Sequence, residues 1–165
     1  TKVEFKAAIN TKTVVDLCNE FPIQKDDFFY IESGTVHAIL AGTMLLEVQQ
    51  SSDITYRIYD YDRVDSNNQK RALHIEKALD VIHFPDHPLQ MKPNPRFFNY
   101  TIHTNLENTF YIASTYGDYI FILDGEGYID EDYVHKGDFL MVPADNAYNV
   151  VGSLRFQKTT FEAKG

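Results

Sequence analysis

The sequence predicts an all-β fold with one or two short helices, and three observations point to it. The aromatic content of 14% is built from 12 Phe and 11 Tyr with no Trp, and such side chains favour the pleated surface of a sheet. Residues 44–49 and 54–59 alternate apolar and polar side chains, which is the period of a strand. From Phe97 onward the apolar runs are short and punctuated by Gly and Asx residues, at intervals close to those of a sandwich or small barrel.

With 165 residues the chain can bury one ordinary core or two small ones. Fifteen Lys and Arg against 24 Asp and Glu give a formal charge of -9, which disfavours a phosphate backbone or an anionic membrane surface as partner. A small anionic ligand is still compatible, because one or two well-placed arginines outweigh a distant field. The single Cys18 excludes an internal disulfide and a multi-thiolate metal site, and it suits a cytoplasmic protein. No apolar run reaches the roughly 18 residues of a membrane helix, and no signal peptide opens the chain.

Taken in order, "TKTVVDLCNEF" places Val14, Val15, Leu17, Cys18 and Phe21 near one helical stripe, so a short helix is expected there, with Cys18 buried and inert. "DDFFYI" reads as a strand ending in the turn at Ser33-Gly34. In the strands over 44–61, Glu47 sits between Leu46 and Val48 and shares a face with Gln49; Arg57 is expected on the paired strand. "DSNNQ" is a polar loop, and "RALHIEKALDVI" is a helix with Ile75, Ala78, Leu79 and Ile82 on one stripe. Residues 85–96 carry four prolines and form an arm rather than a central strand. "GDYIFILDGEGYID" has a glycine pattern without the strand-to-helix context of a phosphate loop, so a hairpin turn is expected at its glycines.

The chain also echoes itself. "DDFFYIESGTVHAI" aligns with "GDFLMVPADNAYNV": Asp27 falls on Asp138, Ser33 on Ala144 and His37 on Tyr148. Each copy is an acid-led strand, a tight turn, and a returning strand with one polar residue facing inward. This resembles the second sequence motif of cupins, in which a metal-binding histidine follows the turn. The first copy keeps Gly34 and His37; the second keeps Gly137 and Pro143 but has Asp145 at the later glycine and Tyr148 at the ligand position. The resemblance implies a jelly-roll architecture with an incomplete catalytic cupin with a short helix over 1–84, the proline-rich arm over 85–96, and a complete, metal-free C-terminal cupin over 97–165.

A more specific resemblance covers residues 25–84 continuously and the remainder more weakly. "FFYIESGTVHAI", "LLEVQQSSDITYRIYDYDR" and "RALHIEKALDVI" are similar to type I mannose-6-phosphate isomerases of the short bacterial kind. The resemblance implies that His37, in the family's "GT.HA" turn, is a zinc ligand and that Arg57 is a catalytic residue; Glu47, by its strand face and its expected pairing with Arg57, is read as lining the substrate site rather than facing solvent. It implies a small phosphorylated sugar as partner and zinc-dependent interconversion of mannose 6-phosphate and fructose 6-phosphate. The upstream zinc ligands of the family, a "Q.H" pair and a further glutamate, have no counterpart in residues 1–24, and the chain opens on Thr1. The expectation is therefore the C-terminal part of a longer enzyme, whose open strand edges favour self-association. Two alternatives stand beside it: a catalytically silent cupin binding module, and a metal-dependent cupin enzyme that is not an isomerase.

Overall fold

The computed structural model describes residues 1–49, 51–91 and 98–161. The chain divides into two compact units, Thr1–Lys92 and Pro93–Gly165.

Helices frame the first unit. Helix α1 (Lys2–Thr11) starts on a capping box, in which the Glu4 N–H donates to Thr1 Oγ1 at 3.3 Å and the Glu4 carboxylate accepts from the Thr1 amine at 2.8 Å. Lys12 ends it in the left-handed region (φ 61°), and the Thr13 N–H returns to the Ala8 carbonyl. A single 3₁₀ turn, Val14–Leu17, follows. Helix α2 (Ile75–Val81) buries Ala78 and Leu79. Ala8, Ile9 and Val14 form a small core against which Phe5, Val15, Ile58, Tyr59 and Ile75 pack.

Several local expectations are corrected here. The helix expected around 14–21 is only the one 3₁₀ turn, because Val14 and Val15 find a surface to cover but Leu17 and Phe21, 56% and 54% exposed, do not. Cys18 is exposed rather than buried. The strands expected at 26–31, 44–49 and 54–59 do not form ladders; among the described residues they contribute one bridge, Tyr30 with Gln90. A strand persists only when a neighbour satisfies its backbone groups along its length, and beyond the single contacts at Tyr30 with Gln90 and Arg57 with His74 no described segment forms a ladder with these three. Several of their apolar side chains stay in solvent, Met44 at 96% and Ile54 at 69% exposure. Within the proline-rich arm the Phe84–Pro85 peptide is cis, while residues 92–96 lie outside the described residues.

The second unit is an open, six-stranded antiparallel sheet: β1 (Asn99–Asn105), β2 (Asn108–Ile112), β3 (Asp118–Ile129), β4 (Asp132–His135), β5 (Phe139–Val142) and β6 (Ala147–Thr160). Its spine is the long pairing of β3 with β6, from Asp118–Thr160 to Ile129–Val150, with a bulge between Ile122 and Asp124. β6 then takes β1 along its C-terminal half and β2 along its N-terminal half, whereas β3 takes β5 and β4 at its two ends. One face carries the core: Ile120, Ile122, Val134, Tyr148, Val150, Leu154 and Phe156 are all buried. Among the described residues, the all-β, cupin-type class expected from the sequence is thus met by a sheet with two α-helices, its strands lying in the second unit.

The glycines of "DGEG" lie inside β3, not in a hairpin turn; the chain reverses after Ile129 instead. A Cβ on Gly125 would sit 2.0 Å from the Ser153 carbonyl oxygen, and one on Gly127 would sit 2.2 Å from that of Val151. The glycines therefore let β3 and β6 approach closely beside the bulge. Gly125→Ala, which also meets the left-handed strain of φ +85°, is expected to cost roughly 3 kcal/mol. A lower urea midpoint for the sheet unit would register that loss.

Candidate functional site

The segment 57–63 is the firmly held part of the first unit. Ile58 and Tyr59 pack on the helical core. Arg57 and His74 exchange hydrogen bonds: the Arg57 N–H donates to His74 Nδ1 at 3.2 Å, and the His74 N–H donates to the Arg57 carbonyl at 2.7 Å. The backbone of Arg57 is thus fixed at the start of α2, and among the described residues no ion pair occupies its guanidinium. Arg57 is half-buried.

Three residues on, Asp60 is 7% exposed and accepts from two arginines. Arg71 Nε donates to Oδ2 at 2.8 Å with a second contact from its Nη2, and Arg63 Nη2 donates to Oδ1 at 2.7 Å. The Arg71 guanidinium, and then Arg63, hold the Asp60 carboxyl down at about 2 against the opposing effect of burial. Asp62 is likewise held at about 2, by Lys12 at 2.5 Å and Lys70 at 2.6 Å. These acids are scaffolding: Asp62 ties the end of α1 to the 60–70 loop, and Asp60 closes the turn that follows Arg57.

His37 follows a turn closed by the Thr35 N–H donating to the Glu32 carbonyl at 3.1 Å. At its centre Gly34 has φ 89°, and a Cβ there would lie 2.5 Å from the Val81 carbonyl and 3.1 Å from the His83 ring. Glycine is therefore required twice over, by conformation and by the end of α2. Glu32 is held from the other side by His87 Nδ1 at 3.1 Å and Gln90 at 3.3 Å. The His37 ring is exposed, and its Nδ1 lies 3.0 Å from the Thr35 carbonyl. A carbonyl only accepts, so Nδ1 carries a proton, and in the neutral ring the lone pair is then on Nε2, the tautomer that prepares an imidazole to bind a metal.

Of the residues selected from the sequence, the structure holds Arg57 firmly, orients His37, and leaves Glu47 exposed. No ion pair joins Glu47 to Arg57 among the described residues, since the ladder expected to bring them opposite each other is not formed. Among the described residues no three His, Cys, Asp or Glu side chains cluster in a way that could hold a metal. His37 alone therefore does not fit a zinc centre, which needs three protein ligands and an open position.

The internal echo extends to backbone geometry at a constant spacing of 111 residues. Asp26 and Gly137 are both left-handed (φ 76° and 98°), as are Gly34 and Asp145 (φ 89° and 59°). The carboxylates of Asp27 and Asp138 accept from the N–H three residues earlier, at 2.9 Å from Gln24 and 2.7 Å from His135. The turns close alike, Thr35 to Glu32 at 3.1 Å and Asn146 to Pro143 at 3.3 Å. At the position of His37 the second copy has Tyr148, fully buried, its hydroxyl on Asp118.

Turn, sheet and repeat together define the class: a β-sheet protein of the cupin type. The nearer likeness is to mannose-6-phosphate isomerases. The chain is 53% identical over 85 residues to the probable mannose-6-phosphate isomerase GmuF of Bacillus subtilis, covering 52% of this chain and 27% of that protein. It is 34% identical over 161 residues to mannose-6-phosphate isomerase ManA of the same organism, covering 87% of this chain and 51% of that one. The crystal structure of the B. subtilis mannose 6-phosphate isomerase superposes with a TM-score of 0.85 at 28% identity, over 98% of this chain and 57% of that chain. Comparison with protein-family models gives no match. The chain spans about half the length of ManA and about a quarter of GmuF.

The sequence marks Asp60, Asp62 and Arg63 as scaffolding at a strand end, but it does not point to Arg71 as the partner of Asp60 or to the cluster around Asp118 in the second unit. Asp118 had a signal: it has the parity of Ile120 and Ile122, which places it on the core face. Because the Asp60 carboxyl is depressed in the folded chain, its stabilisation is full above its unfolded value near 4 and is lost as pH falls towards about 2. The stability gap between the parent chain and Asp60→Asn, followed by circular dichroism, is expected to narrow over that interval.

Proposed function

We propose that the chain supplies one part of an isomerase that interconverts mannose 6-phosphate and fructose 6-phosphate. The observation that carries this reading is the 53% identity to GmuF, taken with the conformation of the "GTVHA" turn, in which Thr35 leaves His37 Nε2 free. Reaction at a sugar carbonyl needs the ring to open, a proton to leave C2 and return to C1, and the hydroxyl proton to move between the two oxygens. The enediol between them carries developing negative charge on oxygen. In this reading the Arg57 guanidinium donates hydrogen bonds to that charge, and its anchored backbone keeps the donor in place before substrate arrives. Glu47 lines the sugar site. His37 contributes one ligand to a zinc ion whose other ligands come from outside the described residues; bound zinc supplies Lewis acidity towards the substrate's oxygens. The protein acts in the cytoplasm on a small phosphorylated sugar, with no nucleic-acid or membrane partner.

A second reading is a cupin binding module without turnover, favoured by the lack of a three-ligand cluster among the described residues. Zinc content and a coupled isomerase assay separate the two, on the chain alone and after adding the N-terminal region of a related isomerase. Under the isomerase reading, the mixture binds about one zinc per complex and turns over. Arg57→Ala in the active mixture then lowers kcat by roughly a hundredfold or more while zinc stays bound. No metal and no turnover in either sample supports the silent module.

The irregular segments 44–49 and 54–56, with exposed Met44 and Ile54, offer backbone outside any described ladder to another chain. Light scattering is expected to find the isolated chain self-associated; a monodisperse monomer would count against this.

A further inference from the structure

The second unit holds a polar cluster on the core face of its sheet. The register sets Lys158 opposite Ile120 on β3 and Thr101 on β1, and sets Tyr111 opposite Tyr148. These side chains therefore share a face with Ile122 and Phe156. Asp118 is wholly buried at the start of β3. Its Oδ1 accepts from the Ser114 N–H at 2.9 Å, and its Oδ2 accepts from the Tyr148 hydroxyl at 2.8 Å and faces Lys158 Nζ at 3.2 Å. The same Nζ lies 5.4 Å from the centroid of the Tyr111 ring, and the lysine side chain is only 17% exposed. His103, stacked on Phe156 at 5.1 Å and hydrogen-bonded to Thr101, completes the surroundings; burial and then Lys158 push its pKa down, with Asp118 opposing.

A carboxylate oriented by two donors, an aromatic face and little water are what a primary ammonium group needs to leave solvent. By the 111-residue spacing, Tyr148 stands where the first copy has His37, and Lys158 where it has Glu47. We propose that this cluster is an ammonium-binding site whose resident ligand is the chain's own Lys158, with Asp118, Tyr148 and the Tyr111 ring as its walls. The second copy of the motif thus keeps a cation on its inner face but carries it covalently, so the unit needs no metal for that charge.

The test uses the full chain. Lys158→Ala removes the equivalent of propylammonium, leaving Asp118 buried without a countercharge. The thermal midpoint of the sheet unit is expected to fall by on the order of 10 °C or more. Added propylammonium should restore several degrees in a saturable manner, whereas equal concentrations of sodium or tetramethylammonium should not. The rescue should vanish in Asp118→Asn/Lys158→Ala. The pH dependence carries a separate sign. Burial pushes the Asp118 carboxyl up, but Ser114, Tyr148 and Lys158 outweigh it and hold it below the ordinary value. The stabilisation from the pair is therefore present above about pH 4 and lost as pH falls through the lower folded value, so the deficit of the variant should shrink in acid. If Lys158→Ala does not fold, Lys158→Met gives the same pH reading with the stem retained. A deficit independent of pH, an absence of propylammonium rescue in a folded Lys158→Ala, or a Lys158→Met chain as stable as the parent at pH 7 would each overturn the proposal.

Discussion

The antiparallel pairing of β3 with β6 is the constraint on which the second unit rests. All four remaining strands attach to one of these two, so an error in their register would displace the whole sheet. The register is pinned at three places. The bulge after Ile122 absorbs one residue, Gly125 and Gly127 allow the backbones to touch, and the buried Asp118 caps the end next to Thr160. Slipping β3 by one residue against β6 would turn Ile120 and Ile122 away from the core face and bring Phe121 inward. The hydrophobic pattern and the polar pins therefore select the same arrangement.

The first unit works on a different principle. Its apolar core is small, a cluster of three buried residues with five packed against it and Ala78 and Leu79 buried on α2, and charge supplies much of its local definition. Asp60 with Arg71 and Arg63, and Asp62 with Lys12 and Lys70, join sequence positions as far apart as 12 and 70. Both carboxylates lie just beyond Arg57, so the electrostatic ties and the His74 backbone exchange converge on the residue that the isomerase reading makes responsible for chemistry. His37 is positioned by sterics instead, through a glycine that fits only because it has no side chain. The two residues thus owe their places to independent causes, and damage to one support need not disturb the other.

The sheet unit was legible because its cause is local: alternation in "YIFI" and "NVVGSLRF" states which face is buried without reference to anything distant. Helix α2 was legible for the same reason. The "DGEG" glycines were misread because turn formation and close strand approach call for the same residue, and only the partner strand distinguishes them. Helix α1 was missed although Thr1 and Glu4 spell a capping box, since its apolar positions are sparse. The strands expected over 44–59 carry a sound pattern, yet pairing is a property of two segments, and sequence period cannot supply the second. At the site, His37 and Arg57 were found through resemblance, whereas the carbonyl that orients His37 and the arginines around Asp60 are tertiary facts with no spacing to announce them.

Cys18 turns out to be a practical asset. It is the sole thiol in the chain, it lies in the first unit on the surface, and desolvation, then Asp86, push its pKa up. Such a thiol reacts slowly enough to survive purification but can be coupled to a maleimide dye at mildly alkaline pH. A fluorophore there would report on the helical unit alone, so that its melting could be followed separately from that of the sheet.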